Sequence, residues 1–298
     1  MPQQHPFTEV VALPRDDQAA EVSEPTAHGA LHWAPHHDAG FGARMQALAQ
    51  WVADARPEVC VVDVSVEVAM LLRLLGVPTV VVALPGERTD VPHVLVHQAA
   101  DHILAAWPAA LHTPRWLAPH ARKTSYVGGI SRFAGRAATA VTSDDGDLRL
   151  LLLGGAADAF GESACWDTLG MTCTAIGGSS GTWVDDPWPQ LCDTDVVISH
   201  AGQNSVADIA AARRPAVIIP QQRPFGEQYC TAAVLERYGL AVTSSGWPTV
   251  DAWPQLLTRA RAADPARWRR WQVDGAGARA AEAIEATAAR CRAGSGRP

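Results

Sequence analysis

The stretch DVVISHAGQNSVADIAAARRPAVIIPQQRPFGEQ, Asp195 to Gln228, decides the fold. Val196, Val197 and Ile198 form a short apolar run that reads as a buried parallel strand. Ala207 to Ala212 are helix formers, and Ala216 to Ile219 form a second apolar run closed by Pro220. The segment is one β-α-β unit. The turn His200-Ala201-Gly202-Gln203-Asn204-Ser205 joins strand to helix. Its glycine lets the backbone approach a ligand, and it ends at a helix N-terminus, where free N–H groups and roughly half a positive charge favour an anion. His200, Asn204 and Ser205 add side-chain donors suited to a diphosphate. Ser205-x-x-Asp208 reads equally as a capping box that closes the helix with no ligand. The histidine at the strand end and Glu227-Gln228 past the next strand favour a site, because both lie at the carboxyl edge where open α/β sheets bind ligands.

These residues in this order resemble the donor-binding signature of nucleotide-sugar glycosyltransferases of the GT-B fold, in which HxGxNSxxE is followed by a strand and then D/E-Q. The resemblance implies that His200, Gly202, Asn204 and Ser205 meet the donor diphosphate, Asp208 the ribose hydroxyls, and Glu227 with Gln228 the sugar hydroxyls. Asp208 stands where the family has Glu and reaches one methylene less far. The run Leu148 to Leu153 followed by Gly154-Gly155-Ala156 reads as the opening strand and glycine turn of the same Rossmann-like domain. In the family 28 branch, which includes the N-acetylglucosaminyl transferase of peptidoglycan synthesis, the equivalent glycines lie beside the donor phosphates. A loop from Trp183 to Pro189 is placed to hold the base, with Trp183 and Trp188 either packing or stacking on it.

The expected fold is therefore α/β of the GT-B type: two Rossmann-like domains facing a cleft. An acceptor-side domain occupies residues 1–135 and a donor-binding domain with C-terminal helices residues 146–298, the break being the polar run Ser143 to Asp147. In the first half a helix is expected near Gly42 to Ala55, a strand at Val59 to Val64, and a helix then a strand in VEVAMLLRLLGVPTVVVALPG. The family normally opens at once with a strand, a glycine turn and a helix. Here Val10, Val11 and Leu13 can make a strand, but no such turn follows, so the first β-α unit reads as missing. A start upstream of the present one, or a partner protein covering the incomplete domain, would account for it. The catalytic base is not assigned by motif. Asp63, at the end of the strand Cys60-Val61-Val62, is the best cleft candidate, against a plainer reading as a helix N-cap with Ser65.

Composition narrows the alternatives. The chain has 298 residues, 48% of them hydrophobic, and a net charge of −7, which leaves no electrostatic footprint for nucleic acid. No apolar run is long enough for a transmembrane helix and the start lacks signal-peptide character, so the simplest address is cytoplasmic. Six cysteines without CxxC pairing read as reduced core thiols. His28, His32, His36 and His37 recur at about four-residue intervals, but Gly29 and Pro35 interrupt any helix, and no metal site or cofactor is expected beyond the donor itself, UDP-linked by the resemblance. Gly177-Gly178-Ser179-Ser180-Gly181 satisfies GxSxG of α/β-hydrolases, in a context that makes a poor start for the required helix. The reading is an inverting, metal-independent glycosyltransferase with an unknown acceptor, or a catalytically impaired nucleotide-sugar-binding protein.

Overall fold

The structure is a computed structural model that describes residues 7–18, 20–138, 148–154, 171–178 and 182–294. Gly155, Ala156, Ser179, Ser180 and Gly181 lie outside the described residues, as does the whole polar run Ser143 to Asp147.

Two parallel sheets organise the chain. The first has strands β1 (Cys60–Asp63), β2 (Thr79–Ala83), β3 (His102–Ala105) and β4 (Thr124–Tyr126), hydrogen-bonded in that order. The second has β5 (Leu148–Leu153), β6 (Met171–Ile176), β7 (Val196–Ser199), β8 (Ala216–Ile218) and β9 (Val242–Thr243), in the order β6-β5-β7-β8-β9. Every pairing is parallel. Parallel strands buried on both faces need continuous apolar runs, and LRLLLL of β5, VVIS of β7 and AVI of β8 supply them. Because β5 pairs with β6 on one side and β7 on the other, the strand order reverses between β5 and β7. A crevice opens at the carboxyl ends of such a pair, the place where open α/β sheets hold ligands.

Around the first sheet lie helices α1 (Ala39–Ala55), α2 (Val66–Leu74) and α3 (Val91–Ala99), and around the second α4 (Trp188–Cys192), α5 (Gln203–Ala212), α6 (Glu227–Arg237) and α7 (Trp253–Arg261). The last helix, α8 (Ala276–Gly294), packs back on the first sheet: Ala280 joins Val80, Leu104 and Val127 in one buried cluster. Gly129 N–H donates to Trp271 O (2.9 Å) and Arg279 Nε to Val127 O (2.9 Å), so this return path is tied to the chain that leaves β4.

One sequence expectation changes. Val10, Val11 and Leu13 form no strand, and Val10 and Val11 are exposed. With no glycine turn after them and no partner edge, these residues join no ladder. β1 is accordingly an edge strand, with Val61 47% exposed. As Gly29 and Pro35 led one to expect, the histidines of the 28–37 stretch follow no helix: His28 and His37 lie in turns with positive φ, and His36 bridges to Ser23.

The two halves meet at the turn after β2, where Glu87 N–H donates to Phe225 O (2.9 Å); within the first half, Trp116 Nε1 donates to Gly86 O (2.8 Å). Gly86 has φ +101, and a side-chain carbon there would sit inside the contact radius of the Phe225 carbonyl oxygen. Backbone strain plus overpacking predicts that Gly86→Ala lowers stability by about 2–4 kcal/mol. Urea unfolding of wild type and variant checks this; an unchanged midpoint would contradict the tight approach.

Candidate functional site

The site is built around the N-terminus of α5. Its N-cap is Gly202, and among the described residues no side chain caps it. Gln203, Asn204 and Ser205 are its first three residues, and the first N–H bonded back into the helix is that of Val206, to Gly202 O (3.0 Å). The capping-box reading therefore fails: Ser205 lies inside the first turn, and Asp208 lies one turn further along. The backbone N–H groups at this end and their partial positive charge are left for an outside acceptor.

Asn204 and Ser205 line two recesses at once. One, of about 340 Å³, is walled by Gly202 and Gln203 together with Glu227 and Thr231 of α6, and on its other side by Asp63, Val64, Leu84 and Pro85 of the first half. The second, of about 450 Å³, is walled by Gly154, Ile176, Gly177, Trp183, Val184, Ile130, Arg132 and Asp208. Gly154 has φ +69, and a side chain there would approach Ser205 Oγ; Gly177 has φ +73 and lies against Gly154. The two glycines let β5 and β6 end close to the start of α5 at the reversal of strand order.

Trp183 is 75% exposed at the rim of the second recess, whereas Trp188 is buried against Phe133 (ring centroids 5.1 Å) and Arg136. Of the two tryptophans, then, Trp188 packs and Trp183 is open to a planar ligand.

Asp208 is mostly buried. Ser131 Oγ donates to its Oδ1 (2.6 Å), and Arg132 Nε lies 3.8 Å from Oδ2. Burial raises its pKa above the usual carboxylate value, and the Ser131 bond and Arg132 offset part of that. Ser131 and Arg132 belong to the chain joining the sheets, and sequence reasoning passed over them. Their signal was the polar pair after Gly128-Gly129, which only the fold brings next to α5.

His200 is buried, with Nδ1 2.6 Å from Ile219 O. A carbonyl only accepts, so Nδ1 carries the proton. In the neutral ring Nε2 is then an acceptor, and it is buried with no protein partner. Gln228 is also buried, and its Oε1 accepts from Ala201 N (3.2 Å) and Gln221 N (2.9 Å). It pins the turn after β7 to the turn after β8. Glu227 Oε2 accepts from Arg88 Nη2 (2.7 Å), a bond between the two halves.

Asp63 ends β1 facing this helix start. The expectation that it caps α2 with Ser65 is overturned: Ser65 is the N-cap and accepts alone from Val68 N (3.2 Å). The Asp63 carboxylate has no protein hydrogen bond among the described residues, and the cleft walls raise its pKa by desolvation. Val64, next to it, has φ +73. A β-branched residue in that region is strained, and such strain gathers where a side chain must be aimed.

Residues 182–244 match the glycosyltransferase family 28 C-terminal domain. Over 88 residues the chain is 34% identical to a UDP-N-acetylglucosamine--N-acetylmuramyl-(pentapeptide) pyrophosphoryl-undecaprenol N-acetylglucosamine transferase of Erwinia tasmaniensis, covering 30% of this chain and 23% of that protein. The corresponding transferase of Photorhabdus laumondii is 35% identical over 78 residues, 26% of this chain and 22% of that one. The chain thus aligns with under a quarter of the length of these curated relatives. The fold is also that of Acinetobacter baumannii MurG (TM-score 0.54, 16% identity, 81% of this chain and 77% of that chain). It is likewise that of CalG4, the calicheamicin glycosyltransferase (TM-score 0.53, 16% identity, 84% and 78%). The chain has the GT-B fold of glycosyltransferases, and residues 182–244 of its second half are similar to the family 28 C-terminal domain.

Gln228→Leu leaves two buried N–H groups without an acceptor, each costing about 1–3 kcal/mol. A lower unfolding midpoint and weaker nucleotide binding are expected together, by thermal unfolding and calorimetry. Unchanged stability would contradict the pinning role.

Proposed function

We propose that this chain transfers a sugar from a nucleoside-diphosphate sugar, UDP-linked, to an acceptor held by the first half, with inversion and without a metal. One observation carries the reading: the uncapped start of α5 opens on a cleft whose opposite wall is the unpartnered carboxylate of Asp63.

The two recesses divide the donor. The base lies in the recess rimmed by Trp183, with the ribose toward Asp208 and Ser131. The diphosphate lies where the recesses meet, on the N–H groups of α5 and the side chains of Asn204 and Ser205. The sugar enters the recess of Glu227 and Asp63.

As the glycosidic bond breaks, charge grows on the diphosphate. The fixed dipoles at the start of α5 and the Arg132 guanidinium stabilise that charge, which is the role a cation plays in other designs. Asp63, in the opposite wall, takes the proton from the attacking hydroxyl, so attack comes from the face opposite the leaving group and the anomeric centre inverts. A carboxylate with no hydrogen-bonding partner among the described residues and a raised pKa is a better base than one at the ordinary value. Gln228 holds the 200–202 turn. His200 is anchored beside that turn by Nδ1, which donates to Ile219 O.

Calorimetry against UDP, dTDP and UDP-N-acetylglucosamine tests the donor site. Asn204→Ala and Ser205→Ala are each expected to weaken binding about tenfold. Wild type binding none of these nucleotides would refute the reading.

Asp63→Asn tests the base. Donor turnover is expected to fall by about 10²–10⁴ with nucleotide-sugar affinity nearly unchanged. In wild type, turnover rises with pH as Asp63 deprotonates, and the raised pKa places this rise above the ordinary carboxylate value of 3.8. Retention of the rise in Asp63→Asn would exclude Asp63.

A further inference from the structure

Arg88 is 139 residues from Glu227 in sequence and lies on the other half of the molecule, yet its guanidinium is almost wholly enclosed. Nη2 donates to Glu227 Oε2 (2.7 Å) and to Pro85 O (3.3 Å), Nη1 lies 3.4 Å from His93 Nε2, and the guanidinium carbon lies 4.5 Å from the centre of the Phe225 ring. A charge with so little access to water persists only where each neighbour offsets its desolvation.

The protons in this cluster can be assigned. Arginine has no acceptor, so Arg88 donates and His93 Nε2 must carry a lone pair. His93 Nδ1 then holds the proton and donates to Asp90 Oδ1 (2.6 Å). His32 Nε2 lies 2.7 Å from Asp90 Oδ2 and donates to it. His93 is neutral in this arrangement, consistent with a pKa lowered by burial, and Asp90 is ionised, its pKa lowered by the two imidazoles. The result is one directed chain: His32 and His93 donate to Asp90, Asp90 fixes the His93 ring, and His93 fixes Arg88.

The same residues bring three metal-ligand types together. A cation there would need the lone pair of His93 Nδ1, which forces the proton onto Nε2 and points N–H against N–H at Arg88. The hydrogen-bond pattern therefore favours orientation over metal binding.

We infer that Arg88, steered by His93, Asp90 and His32, is a positioning residue that sets the carboxylate of Glu227 for the donor sugar. Arg88 takes Oε2 and leaves Oε1 for a sugar hydroxyl, so rotation of the carboxylate is restricted before the donor arrives. Phe225, with φ +62, completes the fixture: its ring meets those of His93 (4.7 Å, edge-on) and His32 (5.6 Å). Residues near His32, which form no sheet or long helix, thereby act on the donor site from the other half. This inference rests on the proposed donor site and names which residues outside it govern sugar recognition.

The test compares calorimetry of UDP with that of whichever of UDP-N-acetylglucosamine, UDP-glucose and dTDP-glucose wild type binds best, for wild type, Arg88→Met, Arg88→Lys and His32→Gln. Arg88→Met is expected to weaken sugar-nucleotide binding about tenfold while UDP affinity stays within twofold. His32→Gln, at a half-buried site away from the cleft and tolerant of substitution, shifts it in the same direction by about threefold. Arg88→Lys, with one ammonium in place of the fork, recovers only part. An unchanged ratio of sugar-nucleotide to nucleotide affinity in both Arg88→Met and His32→Gln would overturn the inference while leaving the donor site intact. Stoichiometric Zn²⁺ binding abolished by His32→Gln would overturn the proton assignment. Failure of wild type to bind any nucleotide would remove the donor site and this inference together.

Discussion

Three backbone N–H groups at the start of α5 are the constraint on which the site depends. A helix start without a side-chain cap carries unmet donors and a partial positive charge, and here it lies at the reversal of strand order, with both recesses meeting on it. Much of the surrounding structure serves to leave it open. Gly154 and Gly177 let two strands end close by without side chains in the way. Gln228 absorbs the backbone donors of the neighbouring turns, so that these do not compete for a ligand.

The second half thus presents the uncapped helix start, and the first half closes the recess on its other side. Asp63 contributes an acceptor with no protein partner on the opposite wall, and Arg88 reaches across to Glu227. Strained backbone lies beside each: Val64, next to Asp63, and Phe225, whose ring meets the Arg88 guanidinium, have positive φ without being glycine. Strain of this kind costs about 1–3 kcal/mol per residue and persists only where surrounding contacts over-determine it. The return of α8 onto the first sheet, with Arg279 bonded to Val127 O, fixes the relation of the halves from the far side.

The fold of the second half was legible in sequence because its signals are short-range. An apolar run, a glycine turn and an alanine-rich segment within 34 residues name a β-α-β unit and the edge on which it binds. What could not be read depends on distance or on competition between equivalent neighbours. Ser65 and Asp63 both suit a helix start, and only geometry shows that Ser65 takes the cap and frees Asp63. Gln228 carries the family's pattern for a sugar contact, yet its carbonyl is engaged by two backbone N–H groups. Ser131 and Arg132 reach Asp208 over some 77 residues of chain, and Arg88 reaches Glu227 over 139, separations that no local periodicity encodes. Among the histidines, the regular interval was accidental, while His32 acquired its role through Asp90, far from that pattern.

The most direct test of the account is a crystal structure of the chain with UDP-N-acetylglucosamine. The account predicts diphosphate oxygens within about 3 Å of the backbone nitrogens at the start of α5, with the sugar between Glu227 and Asp63. A nucleotide bound elsewhere, with the start of α5 unoccupied, would contradict it.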